Sequence, residues 1–496
     1  MSEVVVIGGG PAGVTAALRA RELGAGVTLI ERERLGGTCT NDGCVPTRAL
    51  AKAARLARDA EQFADYGLRG VALEVDFPAV LASAGRVVEE VHDKKRLRDR
   101  LEEAGVEVLD GAGDVRFVSP YTLRLENGGP GGVAREIQGE RFIICAGGHA
   151  RRLGFSGSEH ALTHSDVWEM ESLPGSVAII GAAATGCQLA SIFAAFGSRV
   201  RLLDLAPRIL PGEDEDVSEA VGESFERRGM EIETAINGIN AIERVPDGDG
   251  LILDYDAPDG KRKARVDAVM LSVGWPGNVE ALGLEAAGVA TEKGHIVVDD
   301  TLQTSAPHIF AAGDVNGKVM LVQGATYEGS LAAEQALLGA EGSQSHEIVP
   351  HGGFTDPEYA GVGLTEEQAR ATHDCVVSSV PYADLDRGAI DGHQEGFCKL
   401  VVERSSRRIL GAHIAGEQAV EVVQLAATAM RAGMPVEELA DIELAYPTFT
   451  AIVGLAARKA ARELGTTISN GWSLQSQLGV AEWELGKDHN KAAGIL

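Results

Sequence analysis

The 496-residue sequence has few cysteines and no long apolar run. Its six cysteines are unevenly spaced and too few for the disulfide framework of a secreted protein. No uninterrupted apolar stretch approaches the roughly 18 residues of a membrane helix, so we predict no membrane span. We also predict no resident metal.

Basic residues are scarce as well. Lysine and arginine number 45 against 73 aspartates and glutamates, which gives a formal net charge of −28. A charge of this sign argues against nucleic acid and anionic membranes as partners. Met1-Ser2-Glu3 leads directly into a predicted strand, without a basic region or cleavage site. We therefore expect no signal peptide and a cytoplasmic location.

The N-terminus carries a complete dinucleotide-binding fingerprint. An apolar run over residues 4–7 predicts a buried parallel strand. Gly8, Gly10 and Gly13 follow it and begin a predicted helix, and a second predicted strand ends in Glu31. In this pattern the glycines serve the turn, the approach of a pyrophosphate and helix packing, and the acid binds a ribose hydroxyl.

The stretch 36–48, GGTCTNDGCVPTR, is the centre of the sequence. Cys39 and Cys44 could be a metal pair, a structural bridge, a redox couple or unrelated buried thiols. Five residues of regular helix rise about 7.5 Å, more than the roughly 6.8 Å between the Cα atoms of a disulfide. A bonded pair therefore requires irregular backbone, which Asn41-Asp42-Gly43 permits. Pro46 suits the first turn of a helix, whose N-terminus would favour a thiolate. The stretch thus predicts a reactive dithiol at a loop-to-helix junction.

A second nucleotide fold begins near residue 177. The order of strand, glycine turn, helix and terminal acid repeats, with Gly181, Gly186 and Asp204 in the corresponding positions. The middle glycine is replaced by Ala183, whose methyl group crowds the expected pyrophosphate position. Asp204 favours the free 2′-hydroxyl of NAD, although Arg208 is nearby. Two such folds in one chain imply two facing nucleotides and electron transfer between them.

The rest of the chain completes an α/β fold of two Rossmann-like domains followed by an α+β domain. The stretch 304–314 predicts a strand ending in Gly313-Asp314, and an acid there lies where ligands bind in open α/β sheets. A predicted helix from Gly324 to Leu338 follows. From about Ser345, alternating apolar runs predict antiparallel strands.

Several motifs together resemble the pyridine nucleotide–disulfide oxidoreductase family, which includes dihydrolipoyl dehydrogenase, glutathione reductase and mercuric reductase. The matching segments are Gly8–Gly13, Gly36–Arg48, Ala311–Asp314, Phe354–Glu358 and Leu410–His413. The resemblance implies an FAD-binding domain (1–150 and 276–344), an NAD(P)-binding domain (151–275), a dimerisation domain (345–465) and a tail (466–496). It also implies a homodimer.

The resemblance further implies roles for individual residues. Glu31 would bind the adenosine ribose of FAD, Asp314 its ribityl chain, and the backbone near Val322 would lie beside the flavin. Cys44 would be the charge-transfer thiol facing the flavin, and Cys39 the exposed interchange thiol. The remaining expected cofactor contacts are Gly37, Thr38, Arg48, Gly113, Gly147, Gln188 and Gly274.

This chain departs from the family at positions that matter for turnover. Tyr446-Pro447-Thr448 stands where dithiol-processing members have His-Pro-Thr, and the glutamate that orients that histidine is also absent. A phenol with a pKa of about 10 is a poor base near neutrality. Arg48 replaces a lysine and is expected to keep a positive charge near the flavin, while Gln188 replaces its glutamate partner. Ala184 replaces an aromatic residue of the nicotinamide pocket.

Three functions are compatible with these residues. The leading hypothesis is an FAD enzyme that oxidises NAD(P)H, with NADH favoured, and passes electrons through Cys39–Cys44 to a quinone, a metal ion or a small electrophile. Tyr446 would then donate a hydrogen bond to the reduced acceptor. The alternatives are a dihydrolipoyl dehydrogenase-type or other disulfide reductase that uses another base, and a flavin-bound redox sensor with little turnover.

Overall fold

The computed structural model describes residues 3–69, 73–125, 134–246, 248–339 and 345–466. Up to residue 150 the elements are β1 (Glu3–Ile7), α1 (Pro11–Glu22), β2 (Gly26–Ile30), α2 (Gly37–Asn41), α3 (Cys44–Asp59), α4 (Phe77–Lys95), α5 (Leu97–Glu103), β3 (Val106–Leu109), β4 (Val115–Ser119), β5 (Thr122–Leu125), β6 (Arg135–Gln138) and β7 (Arg141–Ile144). The elements that follow up to residue 271 are β8 (Ser176–Ile180), α6 (Ala184–Ala195), β9 (Arg199–Leu203), α7 (Glu215–Arg227), β10 (Glu231–Glu233), β11 (Gly238–Arg244), β12 (Leu251–Ala257), β13 (Gly260–Val266) and β14 (Ala268–Leu271).

The remaining described elements come after residue 290. A first group is β15 (Thr291–Glu292), β16 (His295–Ile296), β17 (Ile309–Ala311) and α8 (Val322–Leu338). The last group is β18 (His351–Gly353), β19 (Tyr359–Gly363), α9 (Glu366–Thr372), β20 (Cys375–Pro381), α10 (Asp386–Asp391), β21 (Phe397–Glu403), β22 (Ile409–Ala415), α11 (Ala419–Arg431), α12 (Val436–Ala440) and α13 (Ala451–Glu463).

A parallel sheet in the order β17-β7-β1-β2-β3 positions the first nucleotide fold. Residues 4–7 of β1 are at most 3% exposed, as expected for a parallel strand covered on both faces. Helices α1 and α8 pack against each other on this sheet. Because β1, β2, β7 and β17 run parallel, their carboxyl ends meet at one edge, and Gly8, Glu31 and Asp314 follow three of them.

The second fold repeats this arrangement with a parallel sheet in the order β10-β9-β8-β14. A separate antiparallel sheet, β11-β12-β13, follows it in the chain. The C-terminal part forms an antiparallel sheet in the order β18-β19-β22-β21-β20, on which α11 and α13 pack to form an apolar core. These sheets and helices confirm the predicted α/β fold class.

Some elements differ from the sequence-based expectations. The sequence pattern predicts a helical region over 77–104, but Arg96, with a φ of +45°, ends α4 and separates it from α5. Helix α8 begins at Val322, two residues before its predicted start. Helix α13 and strands β4–β6 and β11–β13 were not predicted. The tail assigned to 466–496 lies outside the described residues from residue 467 on.

The second parallel-sheet fold is joined to the C-terminal sheet by a buried charge cluster. The ammonium of Lys399, in β21, is 2% exposed and lies 2.6 Å from Asp214, 2.7 Å from Asp216 and 2.9 Å from Glu366. The Asp214 carboxylate also accepts a hydrogen bond from the Glu366 N–H at 3.0 Å. One lysine therefore neutralises acids from two parts of the fold, so its removal should lower the free energy of unfolding strongly.

None of the described helices combines the length and apolar character that crossing a bilayer requires.

Candidate active site

A cavity of about 1800 Å³ lies at the carboxyl edge of the first sheet. This volume exceeds the roughly 300–1,000 Å³ typical of a site for one small molecule. The predicted site residues that line it are Gly8, Gly10, Glu31, Gly37, Thr38, Cys39, Cys44, Gly113, Gly147, Gln188, Gly274, Asp314 and Val322. The predicted site residues outside its lining are Gly13, Arg48, Gly181, Gly186, Asp204 and Tyr446.

The glycines after β1 shape a cradle at the N-terminus of α1. Gly8 has φ +105°, and a Cβ atom there would lie 2.2 Å from the carbonyl oxygen of Cys145. A Cβ at Gly13 would lie 1.8 Å from the Gly8 oxygen, so these two positions are closed to any side chain. A Cβ at Gly10, by contrast, would meet only the Cα of Gly37 at 3.8 Å. The open space beside Gly10 and the N-terminus of α1 suits a pyrophosphate, as an FAD site requires.

This contrast predicts different results for two alanine substitutions. Gly13→Ala must push two backbone segments apart, so we expect a lower melting temperature and loss of flavin. Gly10→Ala, the matched control, should keep the melting temperature of the wild type but bind FAD more weakly, because its methyl group enters the pyrophosphate space. Flavin absorbance per protein and thermal unfolding measure both. A Gly10→Ala variant that binds FAD as tightly as the wild type, or a Gly13→Ala variant with an unchanged melting temperature, would contradict this assignment.

Glu31 is held at the end of β2 by backbone donors. Its carboxylate accepts hydrogen bonds from the Gly9 N–H at 2.6 Å and the Glu33 N–H at 2.9 Å. Burial raises the pKa of this carboxyl group, and the two donors oppose that effect. The carboxylate is thereby fixed at the edge of the cavity, where a ribose hydroxyl of a bound nucleotide would be recognised.

The second fingerprint has the same local geometry. A Cβ at Gly181 would lie 2.2 Å from the Ser272 oxygen, and one at Gly186 would lie 1.8 Å from the Gly181 oxygen. Asp204 accepts hydrogen bonds from the Ala182 and Ala206 N–H groups, as Glu31 does in the first fold. Residues 183–185 of the turn into α6 line the cavity. The two nucleotide folds thus face a common space.

The dithiol lies where two helices meet. Helix α2 ends at Asn41 and α3 begins at Cys44, so Asp42 and Gly43 interrupt the helical backbone between the cysteines. Cys39 and Cys44 are free thiols. Cys44, at the N-terminus of α3, is the more exposed in this structure, whereas the resemblance implied that Cys39 is the exposed thiol. A hydrogen bond between the two sulfurs lowers the pKa of Cys44 to about 7, and the same bond raises the pKa of Cys39. As the first residue of α3, Cys44 also benefits from the helix N-terminus.

Asp314 occupies the turn after β17, opposite the cradle. Its carboxylate accepts a hydrogen bond from the indole of Trp275 at 3.0 Å, and burial raises its pKa. Below this turn, the fully buried Glu328 of α8 accepts hydrogen bonds from the Gly313 N–H at 2.7 Å and the Asn316 amide at 2.8 Å. The sequence analysis missed Trp275 and Glu328. Glu328 is one of two acids in α8, and the sequence alone does not distinguish it from Glu334.

Two predicted residues contact groups other than those expected. The guanidinium of Arg48 lies over the Phe354 ring, 3.8 Å from its centroid, and 3.3 Å from Glu358, which places it outside the large cavity. A planar guanidinium stacks on an aromatic ring more readily than an ammonium does. Gln188 accepts a hydrogen bond from the Phe354 N–H at 3.2 Å. The charge of Arg48 is thus paired with Glu358 in this structure.

Tyr446 lies at the surface of the protomer. Its side chain is 57% exposed, and its hydroxyl donates a hydrogen bond to Asp386 of α10. Within one chain Tyr446 does not line the cavity that contains Cys39 and Cys44. Tyr446 could therefore act at a dithiol only if that dithiol belongs to another protomer.

The fold and the cavity define a flavin- and pyridine-nucleotide-dependent oxidoreductase, and comparison with known proteins agrees. The family model described as pyridine nucleotide-disulphide oxidoreductase matches residues 2–329, and that of the family's dimerisation domain matches residues 349–457. The chain belongs to the pyridine nucleotide-disulphide oxidoreductase family. This family is FAD-dependent and uses NAD(P)H.

Similar proteins cover nearly the whole chain. Dihydrolipoyl dehydrogenase of Geobacillus stearothermophilus is 33% identical over 94% of this chain and 97% of its own length. Mercuric reductase of Streptomyces lividans is 31% identical over 92% and 95%. Among solved structures, the HOCl-induced flavoprotein disulfide reductase RclA from Escherichia coli has a TM-score of 0.80 at 27% identity, covering 92% of this chain and 99% of that one.

Proposed function

We propose that this enzyme oxidises NADH and passes the electrons, through FAD and the Cys39–Cys44 pair, to an acceptor that is not a thiol. The observation that carries the proposal is the common cavity. The cradle at Gly10, the turn into α6 and both cysteines line it. Bound flavin would take a hydride from the nicotinamide and hand the electron pair to the disulfide.

The residues of this chain suit the disulfide step. Reduction of the Cys39–Cys44 disulfide by one hydride equivalent breaks the S–S bond and leaves one thiol and one thiolate, so NADH is oxidised to NAD⁺ without further proton uptake. The hydrogen bond between the sulfurs holds that single proton on Cys39 and the charge on Cys44. We therefore expect Cys44 to be the thiolate that lies beside a bound flavin.

NADH is favoured over NADPH by the surroundings of Asp204. Both of its carboxylate oxygens accept backbone N–H groups at the ribose end of the site, where a 2′-phosphate would be repelled. Arg208 donates to the Glu213 carbonyl at 2.9 Å and to the Pro211 carbonyl at 3.2 Å. Its guanidinium is therefore committed to its own loop rather than offered to a phosphate.

Ala183 should limit the affinity for the nicotinamide nucleotide. Its φ of −80° and ψ of −169° are open to alanine and glycine alike, so Ala183→Gly leaves the backbone unchanged. Removing the methyl group should relieve crowding of about 1 kcal/mol and lower the KM for NADH about fivefold. Steady-state kinetics and direct binding test this. An unchanged KM and dissociation constant would show that the pyrophosphate does not approach this position.

The acceptor follows from the missing imidazole at position 446. Quinones and metal ions need no such base. The described residues contain no cluster of three or more His, Cys, Asp or Glu suited to holding a metal, so a metal ion would meet the dithiol as substrate. Neighbouring structures of RclA include a Cu(II) complex, which supports including copper among the candidates.

One observation favours the second candidate, a lipoyl-type disulfide reductase. His164 lines the cavity, and its Nε2 lies 3.7 Å from the carboxylate of Asp42, between the two cysteines in sequence. Burial lowers the pKa of His164, which keeps the imidazole neutral and able to accept a proton. The relatives named dihydrolipoyl dehydrogenase point in the same direction.

We also propose a cytoplasmic homodimer, supported by the match to the dimerisation domain. In this dimer the exposed Tyr446 of one protomer would lie at the dithiol of the other and donate a hydrogen bond to the reduced acceptor. Light scattering on the purified protein tests the assembly, and a monomer that retains full turnover would contradict it.

Anaerobic mixing with NADH or NADPH, followed by a panel of acceptors, tests the function. We expect rapid flavin bleaching with NADH, and faster reoxidation by quinones or by Cu(II) or Hg(II) than by lipoamide or glutathione disulfide. Fast lipoamide turnover would favour the second candidate. A flavin spectrum that neither nicotinamide changes would contradict both and favour the redox sensor.

A further inference from the structure

Helix α4 contacts the dithiol turn through one stripe of its surface. Glu89, His92 and Lys95 are three residues apart and so lie on one face of the helix. Each of the three contacts the segment 34–41, which contains α2 and Cys39. Glu89 pairs with Arg34 at 2.7 Å, and His92 Nε2 lies 2.7 Å from Asn41 Oδ1. Lys95 Nζ donates a hydrogen bond to Thr40 Oγ1 at 3.0 Å. These contacts hold the segment from Arg34 to Asn41 against α4.

Lys95 is the unusual member of the stripe. The residue that it contacts, Thr40, is fully buried and follows Cys39 directly. Among the described residues no carboxylate lies within ion-pair distance of the Lys95 ammonium. Glu89, on the same face of α4, is itself paired with Arg34. A half-buried ammonium without an acid partner leaves its field available to nearby groups, and both thiols are among the groups on which it acts.

The charges that face the dithiol come from several elements. The hydrogen bond between the sulfurs has the largest effect on the pKa of both thiols. Lys95 of α4 acts to lower both pKa values, and Asp314, from the turn after β17, acts to raise both, with a larger effect than Lys95 at Cys44. His92 lies on the same face of α4 as Lys95. Asp42 lies between the cysteines, and its carboxylate accepts a hydrogen bond from Ser165 at 2.7 Å with His164 beside it. Of these groups, Lys95 is the fixed cation whose field favours a negative sulfur.

We propose that Lys95 is a positioning residue that stabilises the thiolate of the reduced Cys39–Cys44 pair and thereby makes the disulfide easier to reduce. The inference rests on the proposed function of the dithiol. Because reduction by one hydride equivalent leaves one thiol and one thiolate, a cation held near the sulfurs stabilises the product and not the uncharged disulfide. The hydrogen bond to Thr40 fixes the distance at which this charge acts.

A purely structural role for Lys95 must be separated from this one. Lys95 is the last residue of α4, where any cation is favoured by the helix C-terminus. Lys94 precedes it in the same last turn and is solvent-exposed. Lys94→Met therefore removes the same charge from the same helix end and serves as the matched control. Lys95→Arg keeps the charge.

The test uses the flavin-containing protein, reduced chemically so that it does not depend on turnover. Alkylation of Cys39 and Cys44 by iodoacetamide is followed by peptide mass spectrometry across a pH series. The fraction of disulfide is then measured in dithiothreitol redox buffers. For Lys95→Met we expect about three- to tenfold slower alkylation at pH 7, a midpoint at higher pH, and a disulfide that is harder to reduce. Lys94→Met and Lys95→Arg should resemble the wild type.

Two outcomes would overturn the proposal. One is a Lys95→Met variant with wild-type alkylation and disulfide equilibrium. The other is an equal change in Lys95→Met and Lys94→Met, which would assign the effect to the helix end. Failure of the proposed function is a separate result: there, NADH would not reduce the wild-type disulfide, while chemical reduction would still report the effect of Lys95.

Discussion

Replacing Cys44 by serine is expected to reduce NADH-dependent acceptor reduction by roughly 10³-fold or more. Without the second sulfur, the S–S bond cannot form, and the thiolate that Cys44 provides in the reduced pair is lost. The flavin cradle at Gly8–Gly13 and the turn into α6 are untouched, so bleaching of the flavin by NADH should persist. Stopped-flow absorbance separates the two steps.

The control for this variant is another cysteine. Cys375 lies in β20 of the C-terminal domain, is buried, and does not line the cavity. Cys375→Ser should therefore keep acceptor reduction near the wild-type rate. Full acceptor reduction by Cys44→Ser would show that electrons leave the flavin directly, as in a diaphorase, and the dithiol would lose its role.

The second large effect concerns stability. Lys399→Met should lower the free energy of unfolding by about 3–5 kcal/mol, because it leaves the buried carboxylate of Asp214 without its counter-charge. Burial alone would raise the pKa of Asp214, but hydrogen bonds from the Glu366 N–H and from Lys399 outweigh it and lower that pKa. Asp214 thus contributes to the stability of the folded state above the pKa that it has in the unfolded chain. This contribution is lost as the pH falls through the lower pKa that it has in the folded protein.

Thermal and denaturant unfolding at pH 7 and at acid pH measure this effect. Lys52→Met, at a solvent-exposed position of α3, is the matched control and should cost little. The difference between the two variants should shrink as the pH falls below the ordinary aspartate pKa of about 3.9, because the Asp214 carboxylate that lacks its counter-charge in Lys399→Met is then neutralised. A Lys399→Met protein as stable as Lys52→Met at pH 7 would contradict the assigned role of the cluster.

Parts of the site could be predicted because local sterics impose them. A side chain at Gly13 would collide with the Gly8 carbonyl, so the spacing of these glycines is visible in the sequence. The same holds for the break between Cys39 and Cys44, which follows from the length of a helical rise. Motifs of this kind depend on residues close together in the chain.

Other parts depend on partners that are distant in sequence. Arg48 pairs with Glu358, 310 residues away, and no local sequence pattern predicts that contact. Lys95 contacts Thr40 from the last position of α4, where the left-handed conformation of Arg96 interrupts a stretch with helical periodicity on both sides. Periodicity predicts a helix but not the residue at which it ends.

The central claim is that bound FAD and the Cys39–Cys44 pair exchange electrons within one cavity. An anaerobic titration with dithionite or NADH, monitored by absorbance, tests it most directly. The account predicts uptake of about two electron pairs per protomer, one for the flavin and one for the disulfide, with a long-wavelength thiolate–flavin band after the first pair. Uptake of a single pair, with flavin bleaching and no such band, would contradict it.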